Sequence, residues 1–178
     1  AEPDYNDFIR AMLQDDLDAM NEYMNRVALQ TFSFFRASNE PRSGLLELGD
    51  CPRINSIAVD FDTGDGPSGA EPERFYHGFV LGLLVDLQDR YVITSNRESG
   101  FGRYDVVLEP RGLEENAIII EFKVHNRRRE SSLEDTVEAA LQQIEEKQYV
   151  VRLLERGVPA ERIRRYGFAF EGKRVLIG

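Results

Sequence analysis

The chain has 178 residues, with 32 acidic against 22 basic side chains and a formal net charge of -10. That balance argues against a general nucleic-acid coating protein, which is basic over its whole surface. A single cysteine, Cys51, rules out an intrachain disulfide, and with only His77 and His125 as imidazoles a Cys/His zinc centre is disfavoured relative to an oxygen-ligated metal.

Hydrophobic residues at 42% and charged residues at 30% describe a folded α/β-sized domain with appendages and not a disordered tail. No apolar run has the length of a membrane span, and the start at Ala1 lacks a signal-peptide pattern, so a cytoplasmic location is expected. The absence of an initiator Met points to processing or to a piece of a longer chain.

Residues 1–35 read as a helical arm. Phe8, Met12, Leu13, Leu17, Met20, Met24 and Val27 recur with helical period, and Asp15, Asp16, Asp18 and Glu22 fall largely on the other side. One or two amphipathic helices are expected, serving either as a connector or partner surface, including a homo-oligomer contact, or as helices packed on their own core. Residues 36–70 form an irregular insertion or loop, broken by Pro41, Gly44, Gly49, Pro52, Gly64, Gly66, Pro67 and Gly69, with only Ile54 to Phe61 strand-like.

Residues 71–178 carry the organised part. Glu71-Pro72 suits a helix start, and the helix is expected to run to about Asp89, burying Phe75, Phe79, Leu83 and Leu87. Glu73 and His77 share one face of it, one turn apart. Tyr91 to Ser95 reads as a strand, followed by a polar turn over Asn96 to Gly102. Gly100 and Gly102 do not make a phosphate-binding loop, because no Lys-Ser/Thr follows and the turn joins strand to strand. Arg97 and Arg103 are placed to contact a phosphodiester or to pair with Glu98 and Asp105.

Two runs, Arg103 to Glu109 and Ala117 to Val124, are rich in β-branched and aromatic residues and flank the breaker-laden Pro110 to Asn116. They predict an antiparallel pair. Alternation then puts Asp105, Glu121 and Lys123 on one side and Ile120, Phe122 and Val124 on the other. Ionised groups beside a core destabilise unless paired or metal-bound, so the three charges read either as a salt-bridge cluster or as a seat for a hard divalent cation such as Mg²⁺.

His125-Asn-Arg-Arg-Arg129 follows as a basic patch: Arg127, Arg128 and Arg129 suit a phosphate backbone or simply a solvated loop. Ser131 with Glu134 predicts a capping box for one long helix to about Arg156, with Val137, Ala140, Leu141, Ile144, Val151 and Leu154 inward and Gln143, Lys147 and Tyr149 at the border. Gly157 ends it, and Tyr166 to Phe170 and Arg174 to Ile177 read as the last strands. Helix, three strands, helix, strand implies a crossover connection and a three-layer α/β core with a mixed sheet.

Asp105 followed by Glu121-Phe-Lys123 on an apolar strand resembles the D…ExK signature of the PD-(D/E)XK nuclease superfamily. Phe75-Tyr-His-Gly-Phe-Val-Leu-Gly-Leu-Leu84, Ser95 to Asp105, Ile119 to Lys123 and Tyr166-Gly-Phe-Ala-Phe170, occurring in order, resemble more narrowly the nuclease-like C-terminal domain of bacterial proteins with an AAA-ATPase-like domain in front. The resemblance implies a restriction-endonuclease-like αβββαβ core. It also implies a Mg²⁺ site, with Mn²⁺ as an alternative, held by Asp105 and Glu121 with help from Glu73 and the Phe122 backbone carbonyl. Lys123 and Gln143 would position water or balance charge. Arg97, Arg103, Arg127, Arg128, Arg129, His77 and Lys147 are the substrate-side candidates. Lys147 reads equally as an exposed partner for nearby acids. The expected activity is metal-dependent hydrolysis of phosphodiester bonds in DNA or RNA. The competing expectation is a non-catalytic nuclease-fold domain serving an AAA-type ATPase or another protein partner.

Overall fold

The computed structural model describes residues 5–36, 70–98, 103–112 and 114–178. The strand-like stretch Ile54 to Phe61, with the rest of the expected insertion over 37–69, and the turn at 99–102 lie outside the described residues. A five-stranded sheet holds the molecule together: β1 (Tyr91–Glu98), β2 (Arg103–Pro110), β3 (Ala117–Val124), β4 (Ile163–Glu171) and β5 (Arg174–Ile177), side by side in that order. β1, β2 and β3 run antiparallel, β4 lies parallel to β3, and β5 turns back on β4. Helices α1 (Tyr5–Gln14), α2 (Leu17–Arg36) and α3 (Ala70–Leu84) precede the sheet, while α4 (Leu133–Glu146) and α5 (Tyr149–Glu155) form the crossover from β3 to β4. The three-layer αβββαβ arrangement with a mixed sheet is therefore the observed one.

Alternation along β2 and β3 divides the core. Val106, Leu108, Ile118, Ile120 and Phe122 join Phe168 and Phe170 of β4 in one cluster with Phe8, Met12, Met20, Met24, Tyr76, Val80 and Leu84 from α1, α2 and α3. Tyr76 stacks on Phe170 at 4.1 Å between ring centroids. On the opposite side Ala117, Ile119 and Ile163 pack with Ile144 of α4 and Leu153 of α5. Within α3 the inward residues are Tyr76, Val80, Leu83 and Leu84, so the expected Phe75 and Phe79 sit at the border, one residue off the buried stripe.

Two helices make up the N-terminal arm, separated at Asp15, which has φ of 62°. Phe8, Met12, Met20, Met24 and Val27 of the expected stripe are buried in the main cluster and Leu13 packs against it, which matches the reading of helices packed on their own core; Leu17, expected on that stripe, is instead exposed. They also close the free edge of the sheet. The Asn21 amide donates to the Ile177 carbonyl (2.9 Å) and its oxygen accepts from the Ile177 amide (2.8 Å). Asn25 does the same with Val175 at 2.7 and 2.9 Å. Four residues of helix rise about 6 Å and two residues of strand about 6.8 Å, so asparagines spaced by four can match alternate strand residues. An unpaired edge invites another chain's strand, and here two side-chain amides occupy it.

The single helix expected after β3 is in fact two. Gln148 takes φ of 57°, in the left-handed region, between α4 and α5. Nothing in the sequence signals the break, because the residue there is neither Gly nor Pro; a non-glycine residue in this conformation costs roughly 1–2 kcal/mol and needs surrounding contacts to hold it. As a result Val151 and Leu154 point outward and Leu153 inward. The capping box is also displaced by one position: Ser132 caps α4 and Asp135, not Glu134, reaches back. β1 extends through Asn96 to Glu98, into the expected turn.

Gly167 of β4 brings α4 onto the sheet. A Cβ there would lie 2.8 Å from the Val137 carbonyl oxygen and 3.1 Å from the Ala140 Cβ. Glycine allows this approach because it has no Cβ, and Gly167 is the parallel-strand neighbour of Glu121.

Candidate active site

Asp105 and Glu121 are directly opposed in the antiparallel register of β2 and β3, so their side chains leave the sheet on the same side. Asp105 is 1% exposed and Glu121 is fully buried. Two carboxylates at such depth require compensation. It comes from the end of α4: Lys147 Nζ donates to Asp105 Oδ2 at 2.8 Å and to the two oxygens of Glu121 at 3.1 and 3.0 Å. Burial lowers the affinity of Lys147 for its proton, but the hydrogen bonds and charges of the two acids outweigh that and hold its pKa above the ordinary value.

Tyr149, just past the break at Gln148, donates its phenol to the same Asp105 Oδ2 at 2.8 Å and accepts from the Asn96 amide at 3.2 Å. Burial, then the bond to Asp105, pushes the Tyr149 pKa up to about 12, so the phenol stays a donor at neutral pH. The left-handed turn is thus flanked by two side chains that both reach Asp105. Lysine and tyrosine share one oxygen, and the other, Oδ1, is buried without a hydrogen-bond partner among the described residues.

Lys123 does not join this cluster. Its ammonium lies 3.1 Å from Glu130 Oε1. It leaves β3 on the same side as Glu121, but one pleat further along the strand, where the loop carrying Glu130 intercepts it. Glu130 also accepts from the Asn126 amide at 2.9 Å and from the Thr136 hydroxyl at 2.8 Å. Since that hydroxyl has given its only proton to Glu130, His125 Nδ1, 2.8 Å from it, is the donor in their bond. Burial works against ionisation of Glu130, yet these donors and Lys123 together keep its pKa below the ordinary glutamate value. The alternation argument placed Lys123 on the correct side of the sheet and with the wrong partner: the amine between the two acids belongs to Lys147.

His77 lies across the sheet, its Nε2 hydrogen-bonded to Ser95 Oγ at 2.7 Å and its ring edge-on to Phe122. Burial lowers its pKa and the nearby charge of Asp105 only partly offsets this. Gln143 is half-buried on α4, its carbonyl accepting from the Lys147 amide one turn later at 3.1 Å. Phe122 separates Glu121 from Lys123, its ring in the main core on the other side of the sheet. Arg127 pairs with Glu171 at 2.8 Å, while Arg128 and Arg129 are exposed in the same loop. Glu73 lies on α3, Arg97 on β1 and Arg103 on β2, with their side chains outside the described residues. Tyr149 and Asn96 are the site residues that the sequence reading left unassigned; Tyr149 had been noted only at the helix border. The spacing Lys147 to Tyr149 acquires meaning only once the helix breaks between them.

Among the described residues, no group of three or more His, Cys, Asp or Glu is placed to hold a metal ion. The two acids nevertheless fit a hard divalent cation. They are paired carboxylate donors, one oxygen has no other occupation, and Mg²⁺ commonly completes its shell with water. No described helix is long and apolar enough to cross a membrane.

Comparison with curated proteins and with solved structures returned no match. A protein-family model does match, over residues 71–178, which span α3 through β5 and contain both acids, both lysines and Tyr149. That coverage, on an αβββαβ core with its paired carboxylates on neighbouring central strands, establishes that the chain belongs to the PD-(D/E)XK nuclease superfamily.

Proposed function

We propose that the protein is a metal-dependent nuclease that hydrolyses phosphodiester bonds in DNA or RNA. The observation that carries this reading is the buried Asp105–Glu121 pair, with Asp105 Oδ1 unpartnered while two donors crowd Oδ2. A purely structural carboxylate at that depth would be expected to have both oxygens satisfied. Asp105 and Glu121 would hold Mg²⁺ or Mn²⁺, with Glu73 and the Phe122 carbonyl as further candidate ligands. The ion would supply Lewis acidity and a water of lowered pKa.

The chain's own groups have separable tasks. Tyr149 and Lys147 fix the rotamer of Asp105 so that Oδ1 is presented. Lys147 keeps the two acids from repelling each other. Lys123, paired with Glu130 at the end of β3, would balance charge developing on a phosphate, and Gln143 would assist from the preceding turn of α4. Arg128 and Arg129, together with Arg97 and Arg103, are candidates for holding the phosphate backbone. His77, uncharged at neutral pH, stiffens β1 through Ser95 and orients the strand that carries Asn96.

A second reading has one observation in its favour: Lys147 already pairs with both acids and offsets one of their two charges, as it would in a non-catalytic nuclease-fold domain that serves an ATPase or another protein partner. An assay on single- and double-stranded DNA and RNA, with Mg²⁺, Mn²⁺ or EDTA, separates the two. The nuclease reading predicts divalent-dependent cleavage that Asp105→Asn abolishes and Lys123→Ala slows on the order of a hundredfold. Lys123→Ala cleaving at the unmutated rate would remove that residue from the chemistry, and divalent-independent or absent cleavage would favour the second reading.

A further inference from the structure

The break at Gln148 does more than aim Tyr149. It sets the course of α5, which together with the β1–β2 pair lines a cleft of about 490 Å³. The cleft adjoins the carboxylate pair through two residues that line it and bond toward Asp105. Asn96 and Tyr149 line its inner end, and the Tyr149 phenol touches Asp105. Its floor is apolar, made by Val92, Val107 and Leu153, and Val92 is 41% exposed although it sits on a strand beside the core. Its α5 wall carries two guanidinium groups one turn apart. Arg156 is paired with Glu109, whereas Arg152 has no ion pair among the described residues.

We infer that this cleft is a subsite for one unpaired nucleotide of the substrate strand, flanking the phosphate at Asp105. The inference rests on the nuclease reading for what lies at Asp105, but its evidence is the cleft. An apolar floor beside polar groups suits the face and edge of a nucleobase, and an unpaired arginine on the wall suits the adjoining phosphate. The volume is that of a small-molecule site and holds a nucleotide, not a duplex. Glu109 and Glu155 also line the cleft. The first is paired with Arg156, and the second disfavours an incoming phosphate, so Arg152 must supply the attraction. Bases held in a duplex present no free face to such a floor, so strands with unpaired bases should be preferred.

The test is equilibrium binding in EDTA, by fluorescence anisotropy, of a labelled single-stranded oligodeoxynucleotide. Its comparison arms are the ribonucleotide of the same sequence, the duplex, and a strand of abasic sites. The inference predicts that a base-bearing single strand, of DNA, RNA or both, binds at least tenfold more tightly than duplex or abasic strand. Arg152→Glu should lose at least tenfold in affinity and lower the salt dependence by about 0.7 in the slope of log K against log salt, one phosphate contact on a single strand. Thr94→Trp, which fills the cleft from β1, should erase the preference for bases over abasic sites. Arg10→Glu, the same charge change on α1, should stay within twofold of wild type. Both cleft positions are exposed, and an unchanged melting temperature shows that each variant is folded.

Equal affinity of wild type and Arg152→Glu, no preference for bases over abasic sites, or tighter binding of duplex would each overturn the subsite. If the wild type still cleaves in any of those cases, the nuclease reading stands without it. If base-dependent binding is lost in Arg152→Glu and Thr94→Trp but nothing is cleaved, the subsite stands and the nuclease reading falls.

Discussion

The two sides of β2 and β3 differ as sharply as adjacent residues allow. Val106, Ile120 and Phe122 face α1, α2 and α3 in a cluster of apolar and aromatic groups. Asp105 and Glu121, their immediate neighbours, face α4 and α5, where an ammonium and a phenol are needed to make their burial tolerable. One side is stabilised by area removed from water, while the other adds compensated charge beside the smaller apolar cluster of Ala117, Ile119, Ile144 and Leu153, and the two terms respond differently to perturbation. The apolar side serves as the rigid mounting. The charged side keeps one oxygen free, and the functional reading rests on that oxygen.

The comparison breaks most visibly if its compensating charge is removed. Lys147→Met leaves two buried acids facing each other, and chemical denaturation in EDTA should show a loss of about 3–5 kcal/mol. Ile120→Ala on the apolar side should cost a similar amount, about 2–5 kcal/mol. The difference lies in rescue: Mg²⁺ or Mn²⁺ should restore part of the stability of Lys147→Met and none of that of Ile120→Ala. A loss under 1 kcal/mol for Lys147→Met would mean that Lys147 does not carry the compensation.

A smaller effect is expected where the charged side is fastened to the sheet. Gly167→Ala places a methyl group 2.8 Å from the Val137 carbonyl and must push α4 outward, at about 1–3 kcal/mol. Because α4 carries Lys147 at its end, divalent affinity should change along with stability. An unaltered melting curve would show that the approach of helix to strand is less tight than described.

The smallest expected effect concerns Lys123 and Glu130. The folded-state pKa of Glu130 lies below the ordinary glutamate value, so its contribution to stability is present above that value and is lost as pH falls through the depressed one. Stability of the wild type should therefore decline on the acid side of the ordinary carboxylate range, and Glu130→Gln should flatten that part of the profile. Superimposable profiles would mean that ionised Glu130, with its bonds from Asn126 and Thr136 and its pairing with Lys123, contributes nothing to stability.

Most of this was legible where periodicity is strong. The expected ends of β3 and β5 are the observed ones, and alternation puts Asp105 and Glu121 on one side of the sheet, while the register that opposes them comes from the strand pairing itself. In α3, which ends at Leu84 and not near Asp89, Leu83 is buried as expected, as is Leu87 just beyond, but in the first half Tyr76 and Val80 are buried in place of the larger Phe75 and Phe79. Lys147 was legible only as an exposed partner for nearby acids, not as the buried amine between Asp105 and Glu121. A helix read as continuous to Arg156 leaves Lys147 and Tyr149 on its border, and its break rests on a glutamine in a conformation for which sequence has no marker. Tertiary contacts to Asp105, made from both sides of Gln148, select that conformation. The exchange of lysines has the same origin: alternation assigns a side of the sheet, while the identity of the nearest carboxylate depends on the path of a loop.

The most direct test of the central claim is calorimetric titration of Mn²⁺ into the wild type and into Asp105→Asn, with folding of both checked by thermal melting. Saturable binding by the wild type, lost in a folded Asp105→Asn, is the predicted result. Equal binding by both proteins, or none by a folded wild type, would contradict the assignment of Asp105 and Glu121 as a cation-holding pair.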